Sequence, residues 1–305
     1  MRVLELFAGI GACSKALERI GIDVEIVDAV EIDKYAIKSF NAIHGTDFEV
    51  QDIKEWDKDL KDIDLITHGS PCQDFSIAGK QAGGDLGSET RSSLMYETIR
   101  IVGKLRPKYV LWENVKNILS KKHKHNFDSY IETMNVLGYN SYYKVLDAKD
   151  YGVPQHRERV YTVSIRKDID TGFVFPEPVE LKLRLKDILE DEVDEKYYLS
   201  EEKVKTFSYN NKEEGIIGKL KLGNFDINNR VYGINGFSWT LRNKQPDQKI
   251  MDKTKRIRKV TSKECWRLMG FDDEDFEKAR KVNSNTQLYK QARELNLRTS
   301  FRKNI

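Results

Sequence analysis

The stretch Leu4-Glu-Leu-Phe-Ala-Gly-Ile-Gly11 runs an apolar strand straight into a glycine turn. Ala12 to Ile20 then keep helical spacing as far as Gly21. Glycines in such a turn let a ligand approach the backbone, and the start of a helix presents N–H groups without an intrahelical partner. Outward from this turn, short β-rich runs alternate with helical patterns to about residue 165, which predicts an α/β fold with a mostly parallel sheet flanked by helices. Strands are expected at 3–6, 25–30, 65–67, 109–112, 141–146 and 160–165. Between the last two pairs, Phe127, Tyr130, Ile131, Met134 and Leu137 recur at three- and four-residue intervals, the stripe of a core-facing helix that Gly138 ends.

Beyond Pro176-Glu-Pro178 the pattern changes. Charge rises from Lys182 to Lys205, and Gly and Asn become frequent between Asn210 and Gly236. We expect three parts: 1–171, a cofactor-binding catalytic domain; 172–280, a smaller irregular domain; and 281–305, a segment returning to the first. Within the second, Thr261-Ser-Lys-Glu264 has the form of a capping box, with Cys265, Leu268 and Met269 on one helical face and Gly270 as the stop.

The 305 residues are 39% hydrophobic and 33% charged, with no apolar run near the roughly 18 to 20 residues of a membrane span. The start lacks the apolar core and cleavage site of a signal peptide, so a cytoplasmic, non-membrane protein is expected. Three widely spaced cysteines, Cys13, Cys72 and Cys265, form no zinc pair and no disulfide framework. The histidines His68, His123, His125 and His156 show no metal-ligand spacing, and no metal is expected. Net charge is only +3, but the runs Lys253-Thr-Lys-Arg-Ile-Arg-Lys259 and Lys121-Lys-His-Lys-His125 read either as phosphate-binding stripes or as solvated faces.

Glu31 closes the next strand about 20 residues past the turn, where an acid in such a fold accepts hydrogen bonds from ribose hydroxyls. Asp52 and Ile53, after a third strand-like run, would meet a purine with an acceptor and an apolar wall. The turn itself is Phe-x-Gly-x-Gly, with Lys15 where a third glycine would stand, so a nucleoside suits it better than a pyrophosphate. The strand at 65–67 leads into Pro71-Cys72-Gln73, a loop that belongs at the same sheet edge, and a thiolate is the best side-chain nucleophile available there. The polar run containing Gly79, Gly83, Gly84 and Gly87 has the composition of a lid. Trp112-Glu-Asn-Val115 ends the following strand and brings Glu113 to that edge as a proton donor. Arg157 and Arg159, at i and i+2, would share one side of an extended segment and bind a carbonyl oxygen or a phosphate.

These motifs, in this order, resemble the bacterial and phage cytosine-C5 DNA methyltransferases: Phe7-Ala-Gly-Ile-Gly11, Pro71-Cys-Gln73, Glu113-Asn-Val115, Gln155-x-Arg-x-Arg159 and the helix from Thr261 to Phe271. The resemblance covers nearly everything outside 172–252. It implies a Rossmann-like catalytic domain using S-adenosylmethionine, a target-recognition domain, and a cytosine flipped out of double-stranded DNA. Carried onto these residues, Cys72 attacks carbon 6, Glu113 contacts nitrogen 3, Arg159 contacts O2, and Arg157 supports the thiolate. Phe7, Ala8, Gly9, Ile10, Gly11, Glu31, Ile32, Asp52, Ile53, Pro71 and Leu94 match cofactor contacts, and Gln73, Ser76 and Thr240 match DNA contacts. The resemblance also implies a monomer from a phage or restriction-modification setting, with a cognate endonuclease as a candidate partner.

Two positions depart from the pattern. Trp239 stands where relatives often carry proline. After Gln287-Leu-Tyr-Lys-Gln-Ala292, Arg293-Glu-Leu-Asn296 replaces Gly-Asn-Ser-Ile, and one inserted adenine converts the codons of the second into those of the first. We therefore expect 293–305 to be an out-of-frame tail that weakens cofactor binding and stability; true divergence into a basic tail is the rival. An impaired homologue that only binds DNA, and a methyltransferase acting on transfer RNA, are the alternative functions.

Overall fold

The structure is a computed structural model and describes residues 1–71, 94–241 and 248–294. Cys72, Gln73, Ser76, the four glycines of the expected lid and the tail from 295 onward lie outside the described residues, as do the side chains of Arg293 and Glu294. Among the described residues, no helix is long and apolar enough to cross a membrane. The described residues fall into two compact units, one drawn from 1–146 and 158–177 and the other from 147–157 and 178–294.

The first unit is built on β1 (Arg2–Leu6), β2 (Glu25–Val30), β3 (Leu65–His68), β4 (Tyr109–Val115), β5 (Tyr139–Asp147) and, after the two-residue β6 (Gln155–His156), β7 (Glu158–Arg166). All six strands expected from the apolar runs are present. Their order is β2-β1-β3-β4-β7-β5; β1 is parallel to both β2 and β3, β3 is parallel to β4, and β7 runs antiparallel to β4. Because β2 lies on one side of β1 and β3 on the other, the chain reverses its direction of travel across the sheet there. In open α/β sheets that switch point, at the carboxyl ends of the strands, opens the crevice where ligands bind.

Helices α1 (Ala12–Arg19), α2 (Lys34–His44), α3 (Met95–Leu105) and α4 (Lys124–Val136) accompany these strands. Asp33 caps α2 by accepting from the Tyr35 N–H at 2.8 Å. The predicted stripe on α4 is realised: Phe127, Tyr130 and Met134 are buried with Ile66, Val110 and Trp112, and Ile131 and Leu137 pack beside them. One expected element is missing, the strand-like run before Asp52. The Asn41 side chain accepts from the Phe48 N–H at 3.0 Å and donates to its carbonyl at 2.9 Å. These bonds satisfy the backbone groups that a sheet ladder would have used.

The second unit contains a five-stranded sheet ordered β13-β12-β10-β9-β8. Its strands are β8 (Ser208–Tyr209), β9 (Ile216–Lys219), β10 (Arg230–Gly233), β12 (Lys249–Met251) and β13 (Ile257–Lys259), while β11 (Ser238–Trp239) pairs with β6 in parallel. The helices are the single turns α5 (Glu201–Val204) and α6 (Asp226–Asn229), then α7 (Ser262–Leu268), α8 (Asp273–Val282) and α9 (Asn285–Glu294). The capping box at Thr261 and Glu264 forms as expected, with Cys265, Leu268 and Met269 buried and Gly270 at φ 79°. The Trp266 indole donates to the Leu288 carbonyl at 2.9 Å, tying α7 to α9.

The basic run at 253–259 is largely consumed within the fold. Arg258 is buried and holds the buried Glu264 through two bonds of 2.9 and 2.7 Å. Arg256 pairs with Glu195 and lies 3.7 Å from the Tyr198 ring centre, and Lys253 reaches Asp191 at 3.1 Å. Three of its five cations thus brace the unit. In the other basic cluster, His123 is buried and Lys124 pairs with Asp128.

Candidate active site

The glycine turn follows β1 with a backbone that few side chains accept. Phe7 has φ 53°, an outlier for a bulky residue, and Gly9 and Gly11 have φ 57° and 78°. The two glycines serve different needs. A Cβ on Gly9 would meet nothing within 4 Å, whereas one on Gly11 would sit 2.1 Å from His44 Nε2 and 2.9 Å from a Phe40 ring carbon. Space beside Gly9 is open to a ligand; space beside Gly11 is filled by α2. We expect Gly11→Ala to lower stability by roughly 2–4 kcal/mol, from a strained φ and an overpacked contact. Urea unfolding of this variant checks it, and Gly9→Ala should cost less.

Below the turn, Glu5 is buried within β1, and its carboxylate accepts from the Ser14 N–H at 2.9 Å. Gly11 supplies no side-chain cap to α1, so Glu5 performs that task from the preceding strand. Burial raises its pKa from 4.5 to about 7, against the Ser14 bonds that lower it. A carboxyl that binds its proton more tightly when folded stabilises fully below its unfolded pKa, and that contribution falls as pH climbs through the folded value. Stability should therefore decline between about pH 5 and 8 by on the order of 3 kcal/mol from this group. In Glu5→Gln the amide oxygen can still accept from Ser14, and that part of the pH dependence should vanish from denaturant midpoints.

At the end of β2, Glu31 accepts from Gly9 N–H at 2.9 Å through one oxygen and from Asp33 N–H at 2.8 Å through the other. Burial raises its pKa, and these backbone bonds oppose the shift. A carboxylate oxygen has two lone-pair positions, so the group keeps capacity to accept from a hydroxyl. The Gln51 N–H donates to the Glu31 carbonyl at 3.0 Å. Buried Asp28 accepts from Gln51 Nε2 and Trp56 Nε1, both at 2.8 Å. Those bonds fix the intervening Asp52 and Ile53 beside Glu31. Ile32 is 68% exposed, while Ile10 is buried, so only the backbone of Ile10 can face a ligand. Phe7 and Leu94 pack on the cluster that contains Ile53.

Beyond β3, Ser70 is held twice: the Trp112 indole donates to its hydroxyl at 3.1 Å, and the Asn114 amide donates to its carbonyl at 3.4 Å. His68 stacks on Trp112 with centroids 5.6 Å apart, and its Nε2 lies 3.0 Å from the Tyr130 hydroxyl. Burial lowers the His68 pKa to about 3, so the ring is neutral. Glu113, between Trp112 and Asn114, meets Arg159 with 2.9 Å from Nε to Oε1. That contact follows from the register in which Val115 opposes Arg159.

Arg157 belongs to the second unit and is buried, and its N–H donates to Asp147 at 2.8 Å. Strand β6 stops at His156 and β7 begins at Glu158. Arg157 therefore lies between the two strands, and Arg159 lies within β7. In the same unit, the Thr240 hydroxyl donates to the His156 carbonyl at 2.8 Å. Of the other two cysteines, Cys265 is buried, and burial pushes the Cys13 thiol well above its usual range, so neither has the character of a nucleophile.

Sequence reasoning missed Glu5, Asp28 and Ser70. The first two carry a visible signal, an acid inside an otherwise apolar strand.

A mostly parallel sheet with a nucleoside-shaped turn at its switch point defines a Rossmann-like methyltransferase fold. Residues 1–294 match the family described as "C-5 cytosine-specific DNA methylase", and the chain belongs to that family. It is 34% identical over 308 residues to "Type II methyltransferase M.HhaI" of Haemophilus parahaemolyticus, covering 95% of this chain and 89% of that protein. It is also 32% identical over 414 residues to "Orphan methyltransferase M.SPBetaI" of Bacillus phage SPbeta, covering 96% and 94%. Among solved structures, that of S. pombe Dnmt2 methyltransferase has a TM-score of 0.70 at 20% identity, covering 96% of this chain and 93% of that one. The chain is thus an enzyme of the DNA cytosine-5 methylation class, and its family implies methyl transfer that depends on S-adenosylmethionine.

Proposed function

We propose that this enzyme methylates carbon 5 of a cytosine turned out of a specific duplex DNA site, with Cys72 as nucleophile. The observation that carries this reading is the clamp on Ser70. In the sequence Cys72 follows Ser70 by two residues. Ser70 is hydrogen-bonded by the residues on either side of Glu113, and Glu113 is ion-paired with Arg159. A carboxyl group and a guanidinium are therefore held together on the strands that grip Ser70, two residues before Cys72 in the sequence.

The Cys72 thiolate forms a bond to carbon 6 of the ring, while Glu113 at nitrogen 3 and Arg159 at O2 stabilise the electrons pushed onto the ring. Carbon 5 becomes electron-rich and takes the methyl group. Its proton then leaves to a base, the electron pair returns, and the carbon–sulfur bond breaks to release the thiolate. Bound S-adenosylmethionine supplies an electrophilic methyl on a sulfonium. The residues described fit that group: open space at Gly9, the anchored Glu31 for its ribose, and Ile32, Asp52 and Ile53 for its adenine. Thr240 and the second unit supply sequence readout, and Arg157 supports the thiolate. Bisulfite sequencing of DNA from cells making the protein tests the reading: one recurrent methylated site is expected, and unmodified DNA from active expression would refute it.

A further inference from the structure

We propose that Trp239 is a stacking platform for a nucleobase of the target duplex. The inference rests on the function proposed above and adds a residue to it. The chain has four tryptophans; Trp56, Trp112 and Trp266 are at most 3% exposed, whereas Trp239 is 40% exposed. A large ring left in water loses the free energy that burial gives its counterparts, and exposed tryptophan is enriched where a partner covers it.

The ring is held in one orientation. The His156 ring meets it at 4.7 Å between centroids and an 85° angle, and the Arg230 guanidinium lies 5.9 Å from its centre. Its carbonyl accepts from the Ser238 hydroxyl at 2.8 Å and from Gln248 at 3.3 Å. His156 is fixed in turn by Asp147, with Nδ1 2.5 Å from Oδ2, and the other oxygen of Asp147 accepts the Arg157 N–H. One carboxylate thereby sets both the residue under Trp239 and the backbone of Arg157.

Position gives the ring its use. Trp239 pairs with His156 across β11 and β6, so it lies one residue from Arg157 in register, and the next residue, Thr240, is bonded to the His156 carbonyl. Turning a base out of a duplex leaves its neighbours without a stacking partner. An immobilised indole in the unit that carries Arg157 and Thr240 can supply such a contact, and every base has a π face to receive it.

Because the other three tryptophans are buried, acrylamide quenching in the free protein reports Trp239. The probe is a duplex of about 20 base pairs carrying the site found by bisulfite sequencing, with binding and labelled-methyl transfer measured on the same samples. We expect the duplex to remove the acrylamide-accessible fraction of emission, and Trp239→Phe to lack the indole signal while keeping affinity within about twofold. Trp239→Ala should fold normally and weaken duplex binding about tenfold. A duplex that is bound and methylated while Trp239 stays fully accessible overturns the proposal and leaves the function standing. A duplex neither bound nor methylated overturns both.

Discussion

Cys72→Ser is expected to lower methyl transfer to duplex DNA by at least about four orders of magnitude, since removing a nucleophile leaves only binding and electrostatic contributions. Affinity for DNA and for S-adenosylmethionine should stay close to that of the unaltered protein. The substitution exchanges one side-chain atom for another of similar size. A labelled-methyl assay with parallel gel-shift titration reads both quantities. The other cysteines serve as controls: Cys265 is a core residue, and burial holds the Cys13 thiol protonated. Cys13→Ser should retain turnover within a small factor, so a loss equal to that of Cys72→Ser would contradict the assignment.

The second large effect concerns stability. Arg258→Met removes the only guanidinium bonded to Glu264 among the described contacts and leaves a carboxylate buried with two backbone donors, Thr261 N–H at 2.8 Å and Glu190 N–H at 3.0 Å. Stranding one member of a buried pair costs about 3–5 kcal/mol, whereas replacing both members often costs little. Urea unfolding should show that loss in Arg258→Met, and the further change Glu264→Gln should recover much of it. The same site links β13 to the capping box of α7, so the weakened unit should lose sequence-selective DNA binding first. A shift below about 1 kcal/mol in the single variant would mean that solvent reaches Glu264 and the pair is not buried.

Much of this fold is legible in the sequence because it rests on local pattern. The apolar runs at 3–6 and 65–67 have no alternative to a buried strand, and the Thr261 box carries its own start signal. The missing strand before Asp52 shows where local pattern ends: its backbone partners come from the Asn41 side chain, which no periodicity reveals. Gly11 was legible as a glycine but not for its reason, since the atoms that exclude a Cβ belong to His44 and Phe40. The basic run at 253–259 reads either as a phosphate stripe or as a solvated face until Glu195, Asp191 and Glu264 are brought to it. Charge in a sequence does not say which charges are already spent.

Within the candidate site, the motifs assign Glu113 and Arg159 separate contacts to one base, and their direct ion pair follows from the antiparallel register of β4 and β7. The spacing of Arg157 and Arg159 was less informative, because it does not reveal that Arg157 falls between β6 and β7 while Arg159 lies within β7. Ser70 was invisible for a simpler reason. Its importance lies in what donates to it, and both donors sit on another strand.

The most direct test uses duplex DNA with 5-fluorocytosine at the methylated position. Fluorine on carbon 5 cannot leave as the proton does, so a ring that has accepted both the nucleophile and the methyl group stays bonded to the protein. Mass spectrometry of digested protein after incubation with S-adenosylmethionine should find methylated fluorocytosine on the peptide containing Cys72, with none in Cys72→Ser. Methylation of ordinary duplex together with no adduct, or an adduct on a different residue, would contradict the account.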